Sequence, residues 1–149
     1  MKPLHNILVA TDFSPASRPA FRRALDLARA NRAALWIVHV ARAAGPISTD
    51  GYVLPRVYEE LEAAIRADAQ KRLRKLLTRS QGAGVRARAL LLRGGTPHEA
   101  ILRAARSHRA DMIVLGTHGR TGMARFFVGS VAARVVAAAA CPVLTVRGR

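Results

Sequence analysis

The sequence predicts an α/β fold, an open parallel sheet with helices on both faces, and three observations lead there. Five short apolar segments recur along the chain: Asn6–Ala10 (NILVA), Ala34–Val40 (ALWIVHV), Val85–Leu92 (VRARALLL), Met112–Leu115 (MIVL) and Val143–Val146 (VLTV). Three of them are near-continuous apolar runs, the pattern of strands covered on both faces. Between them the hydrophobic period changes from that of strands to that of helices. Strands and helices alternate strictly, and such an order calls for parallel strands joined by right-handed crossovers.

Each element has its own signals. The first strand, NILVA, is followed by a helix whose stripe is Phe21, Ala24, Leu25 and Ala28. Its start is open between two caps: Ser14 followed by Pro15, or Ser17, which would leave Pro19 in the first turn where no hydrogen bond is lost. After the second strand, Ala41–Pro55 is the only long irregular connection, of the kind that forms lids or flaps. The second helix is the longest, about Arg56 to Arg79, with a stripe of Val57, Leu61, Ala64, Ile65, Leu73, Leu76 and Leu77. Glu59, Glu60 and Glu62 near its start and Lys75 and Arg79 near its end complement the helix dipole, and Gly82 and Gly84 end it. The third strand begins by alternating Val85, Ala87 and Ala89 with Arg86 and Arg88, which suits a place toward a sheet edge. The third helix opens on Thr96-Pro97-His98-Glu99, a capping box with proline at its first position. Ile101, Ala104 and Ala105 face inward. The fourth helix runs from about Ser130 to Ala140, shortly before Pro142.

At 149 residues, half of them hydrophobic, the chain is expected to form one domain, residues 1–149, with a real core. No apolar run approaches the roughly 18 residues that span a bilayer, and MKPLHNILVATD reads as a strand and not as a signal peptide. The single cysteine, Cys141, excludes an internal disulfide framework and fits a reducing compartment, so the cytoplasm is the expected location. The charge is unusual: 25 Lys plus Arg against 9 Asp plus Glu, +16 at neutral pH. Such a surface attracts anions. Nearly all the cations are arginines and alanine is abundant, a pairing that coding bias also produces. The arginines are spread over helix faces, as on a generally basic, solvated surface.

In open α/β sheets ligands bind beyond the carboxyl ends of the strands, where the winding reverses. The first strand ends in Thr11-Asp12, the second in His39-Val40, the third in Arg93-Gly94-Gly95 and the fourth in GTHGRTGMARFFVGS, Gly116 to Ser130. Glycines let main-chain amides turn toward a ligand without a Cβ in the way. A helix start adds unpaired amides and partial positive charge. Gly116, Gly119, Gly129 and the helix-opening Ser130 could thus form a cup for phosphate oxygens; taken singly, each glycine is an ordinary turn residue. The pattern is neither a Walker A loop nor G-x-G-x-x-G. It is not a receiver domain either, since Asp12 stands alone at the end of the first strand.

At these residues the chain resembles the universal stress protein family, in its ATP-binding branch, which carries G-x2-G-x9-G-(S/T). Gly116, Gly119, Gly129 and Ser130 meet that spacing in full, and ILVATDFS, WIVHV, ADMIVLGTHGRTG and CPVLTVR extend the resemblance over almost the whole length. The resemblance implies a five-stranded sheet in the order 3-2-1-4-5 with four helices, and an ATP site. In it Asp12 would hold the ribose hydroxyls or help hold a divalent metal, Mg or Mn, and Val40 would meet adenine through its backbone. Gly116, Gly119, Gly129 and Ser130 would cradle the phosphates. Ala10 and Thr11 would line the nucleoside pocket, with Arg120 and Val131 beside the phosphates. Two departures stand out: Phe13 where relatives often have glycine, and Ala132 where some binders have a hydroxyl. The resemblance also implies a homodimer through the edge strand Val143–Val146, an apolar segment suited to pairing with a second copy.

The residues themselves leave alternatives. Asp12 could be a helix cap, Thr11 a packed strand end and Val40 core. His39 reads first as a packed strand histidine. His118, inside the glycine loop, could approach phosphate or solvent. Cys141 reads as an inert thiol. The five histidines form no tight metal cluster, and Asp12 is the only carboxylate near the proposed phosphates, so at most slow ATP hydrolysis or autophosphorylation is expected. The leading reading is an ATP-binding regulatory protein of the stress response. The competing ones are a basic interaction protein for nucleic acid or anionic surfaces and a weak ATPase or autokinase.

Overall fold

In the computed structural model, residues 3–41, 55–117 and 129–148 are described. The elements follow in the order β1 (Asn6–Ala10), a short 3-10 turn (Pro15–Ser17), α1 (Arg18–Asn31), β2 (Ala34–Val40), α2 (Pro55–Gly82), β3 (Ala87–Leu92), α3 (Pro97–Ser107), β4 (Met112–Gly116), α4 (Ser130–Ala138) and β5 (Val143–Val146). The sheet is parallel throughout, in the order β3-β2-β1-β4-β5. Most of the long connection read in the sequence, 42–54, lies outside the described residues.

Alternation along β1 explains the two layers. Ile7 and Val9 point to one face, where they pack with Phe21, Ala24, Leu25 and Ala28 of α1 and Leu73 of α2. Leu8 points to the other, against Ile101, Ala104 and Ala105 of α3 and Ala132 and Val135 of α4. All three β1 side chains are wholly buried, which is why the strand is apolar on both faces.

The two candidate caps divide between two elements, and only Ser14 makes a side-chain cap hydrogen bond. Ser14 caps the short turn, its side chain accepting from the Ser17 amide, and Ser17 then precedes α1 with Pro19 in the first turn. α1 ends on Arg32 in the left-handed region, φ 53°, a place where glycine is usual. At the start of α3, the Glu99 carboxylate accepts from the Thr96 amide at 3.2 Å and from its hydroxyl at 2.7 Å.

Four boundaries and one face differ from the sequence reading, the first being β4, which runs one residue further, to Gly116. β3 begins at Ala87; Val85 is buried in the core ahead of it. α2 runs three residues further, to Gly82, and α4 stops at Ala138. More important, the α2 stripe is only half buried. Leu73 is 4% exposed, whereas Val57 is 50% and Ile65 41% exposed. The cause is length. The 28 residues of α2 span about 42 Å, while a strand of β2's length covers about 23 Å. The N-terminal half therefore overruns the sheet, beyond its C-terminal edge.

Candidate functional site

The winding reverses between β1 and β4, and the carboxyl ends of these strands open into a hollow of about 720 Å³. Ala10, Thr11 and Asp12 from the end of β1 line it, with His39 and Val40 from β2. Gly116 and Thr117 from β4 and Gly129, Ser130 and Val131 from the start of α4 line the opposite side. Gly119 and Arg120, the remaining proposed site residues, lie outside the described residues, as does His118.

The loop after β1 is held by its own short side chains. The buried Thr11 hydroxyl lies 3.0 Å from the Ser17 hydroxyl and accepts from the Phe13 amide at 3.0 Å. Asp12 folds the chain into an Asx turn: its Oδ1 accepts from the Ser14 amide at 3.0 Å and the Ser14 hydroxyl at 2.6 Å. The packing alternative for Thr11 is thus realised, whereas Asp12 makes an Asx turn to Ser14 and does not itself cap a helix; both residues still border the hollow.

Phe13 sits at φ 63°, a conformation that costs a residue with a Cβ about 1–2 kcal/mol and glycine little. Its ring meets the His39 ring at 4.3 Å between centroids, and the Arg72 guanidinium lies 5.8 Å from its centre. His39 is fixed from its other side. Its Nδ1 donates to the Thr11 carbonyl at 2.7 Å, since a carbonyl only accepts. The packed reading of His39 therefore holds, and the same residue walls the hollow.

At the far side the main chain is arranged by β5 and α4. Thr117 donates its amide to the Val146 carbonyl at 2.9 Å, and Gly129 donates to the Thr117 carbonyl at 2.6 Å. Gly129 caps α4, so the amides of Ser130, Val131 and Ala132 open the helix. First-turn amides have no partner within their helix and carry its positive end. Ala132, which lacks the hydroxyl of some binders, is buried with its side chain in the core.

One wall was not legible in the sequence. Ala64, Ile65 and Asp68 from the overrunning half of α2, and Arg72 one turn further on, line the hollow. Asp68 and Arg72 form an ion pair of 2.7 Å one turn apart. Their three-to-four-residue spacing was the available signal. Among the described residues no group of three or more His, Cys, Asp or Glu is placed to hold a metal ion, and no helix is long and apolar enough to cross a membrane.

A parallel sheet wound in this order, with its hollow at the reversal point and a helix start facing it, defines the class of doubly wound α/β proteins that seat ligands at the sheet edge. Within that class, the chain belongs to the universal stress protein family, whose model matches residues 3–147. It is 31% identical to a universal stress protein of Methanocaldococcus jannaschii over 141 residues, 95% of this chain and 81% of the relative. A universal stress protein of Thermus aquaticus is 37% identical over 143 residues, 95% of this chain and 97% of the relative. Among solved structures, a universal stress protein of Lactobacillus plantarum superposes with a TM-score of 0.83 at 29% identity, covering 99% of this chain and 100% of that one. A universal stress protein in complex with cAMP superposes at 0.65 with 27% identity, covering 99% and 100%. Relatives from Archaeoglobus fulgidus with dAMP and from Arabidopsis thaliana with AMP, at 24% and 22% identity, bear on the fold alone.

Proposed function

We propose that the hollow at the β1–β4 reversal binds an adenine nucleotide, ATP among them, and that the chain acts as a nucleotide-responsive regulatory protein of the stress response in the cytoplasm. The observation that carries this reading is the meeting of the α4 start with the strand ends across one cavity: Gly116, Gly129, Ser130 and Val131 on one side, Ala10, Thr11, Asp12 and Val40 on the other. A volume of about 720 Å³ falls in the ordinary range for small-molecule sites. The structurally similar protein in complex with cAMP supports an adenine ligand.

In this reading the α4 amides and the Ser130 hydroxyl take phosphate oxygens, helped by the positive helix end. Gly119 and Arg120 belong to the same proposed cradle. The Val40 backbone meets adenine at the end of β2. Asp12 accepts from the ribose hydroxyls, and a nucleotide-bound Mg or Mn would use it as its protein carboxylate. Such a cation would draw further ligands from the phosphates and water. The ion would neutralise phosphate charge. Regulation would work through differential affinity: a nucleotide shifts the chain's partners only if its bound and free states present different surfaces. We further propose a homodimer through the β5 edge, where Val143–Val146 are only partly buried.

Calorimetry on nucleotide-stripped protein tests the reading. ATP and AMP should bind, and Mg should strengthen ATP binding. Asp12→Asn should keep its fold and lose the Mg increment, since an amide oxygen can still accept from Ser14. No heat with ATP at millimolar concentration rejects the proposal. Phosphate release that Asp12→Asn leaves unchanged would separately remove Asp12 as metal holder in any slow ATPase.

A further inference from the structure

A second hollow, of about 1030 Å³, is lined by α1, α2, the loop that follows β1 and the C-terminal tail. α1 lines it with Arg18, Arg22 and Arg23. α2 adds Arg72, Lys75 and Arg79, and Arg147 follows β5. All seven are exposed, and the lining carries only one carboxylate, Asp26. Counting Asp68, the partner of Arg72, the excess is still seven cations against two carboxylates. The tail is held close: a Cβ on Gly148 would lie 2.8 Å from the Ala16 backbone. Arg147 is thereby anchored beside the turn that precedes α1.

A concave surface of one sign focuses its field and concentrates counter-ions. Arginine forks suit phosphate oxygens in particular. The shape and lining narrow the ligand further. A hollow of about 1030 Å³ is near the size of a small-molecule site and takes a short single chain and not a duplex. Single-stranded nucleic acid is held largely by bases stacked on aromatic faces. The two aromatic residues in the lining are already engaged: Arg79 lies 5.9 Å from the Phe21 ring centre, and the Phe13 ring meets both the Arg72 guanidinium at 5.8 Å and the His39 ring at 4.3 Å. Phe21 is also buried, 3% exposed. Densely spaced cations without a free stacking face match a ligand that is all phosphate.

We propose that the groove between α1 and α2 binds a linear oligophosphate, a chain of phosphoryl groups recognised by charge and oxygen geometry without base readout. The site is separate from the nucleotide hollow, although Thr11, Phe13, Ser17 and Arg72 line both. It accounts for a concentration of arginine on this layer that a merely solvated surface would not place in a concavity.

The test is fluorescence competition on the full chain with inorganic polyphosphate of defined length as probe. Binding should weaken steeply with salt, losing roughly 100-fold between about 50 and 200 mM if about five phosphates of a single chain are neutralised. The triple variant Arg22→Ala, Arg23→Ala, Arg79→Ala should lower affinity at least tenfold and reduce the salt slope by about three. A matched triple on the other layer, Arg103→Ala, Arg106→Ala, Arg134→Ala, should change either far less, with both variants checked for an unchanged thermal midpoint. Three results would overturn the proposal: equal losses in both triples, a single-stranded oligonucleotide binding as tightly as polyphosphate phosphate for phosphate, or complete displacement of polyphosphate by ATP together with loss of ATP binding in the groove triple. ATP binding that survives in the groove triple keeps the two sites distinct, and failure of ATP binding in the unaltered chain leaves the groove proposal standing on its own data.

Discussion

Phe13 offers a test whose sign is opposite to the usual rule. Replacing it with alanine removes a half-buried ring while the backbone stays at φ 63°. Half of the burial energy of a phenyl side chain is about 1 kcal/mol, and the lost contact with the His39 ring adds about 0.5 kcal/mol. Phe13→Ala should therefore cost about 1.5 kcal/mol. Phe13→Gly loses the same contacts but relieves about 1–2 kcal/mol of left-handed strain, offset by about 0.4–1 kcal/mol from the freer unfolded chain. Glycine should thus be more stable than alanine here by about 0.5–1 kcal/mol, although at ordinary positions it is less stable. For a chain of this size that difference is about 1–4 °C in melting midpoint. Calorimetric melting of the three proteins decides it. An alanine variant that melts above the glycine variant would refute a left-handed Phe13.

Other outcomes follow from the same geometry. Arg32 caps α1 at φ 53°, so Arg32→Gly should raise stability by about 0.5–1 kcal/mol, read as a higher urea midpoint with an unchanged slope. The Thr96 hydroxyl and then its amide hold the Glu99 carboxyl below the ordinary range. Because the folded value is the lower one, this capping contribution is present above the unfolded pKa of about 4.3 and fades as pH falls through the folded value; NMR titration should show the depression and its reduction in Thr96→Val, whose amide still donates. Burial, and next the charge of Asp111, pushes the Cys141 thiol up, so alkylation at mildly alkaline pH should be slower in the folded chain than in urea, and equal rates would contradict the burial.

The sheet was legible because its strands are covered on both faces: Ile7, Leu8 and Val9 are apolar in succession since α1 and α2 lie on one side and α3 and α4 on the other. The caps at Ser14 and Thr96 were legible from local chemistry alone. How far α2 runs past the sheet was not. Val57 and Ile65 keep the helical spacing of a buried stripe, and periodicity carries no information on where the opposing layer ends. The wall of Ile65, Asp68 and Arg72 was missed for that reason. The strand-end residues Thr11, Asp12, Val40 and Gly116 were found because parallel topology assigns their location before any contact is known. The basic groove is invisible to a linear reading, since Arg22, Arg79 and Arg147 become neighbours only through the fold.

The central strand also has a consequence for how the molecule comes apart. β1 is flanked by β2, which follows it closely in the chain, and by β4, with Ile7 opposite Met112. The seam between these two halves opens at its upper end into the hollow of about 720 Å³, whose rim is drawn from both. Whatever sits there is a rivet across the join. At a hundred times its dissociation constant it would add about 2.7 kcal/mol against any opening that parts the halves, and amide exchange in Leu8 and Ile113 should slow in step with occupancy.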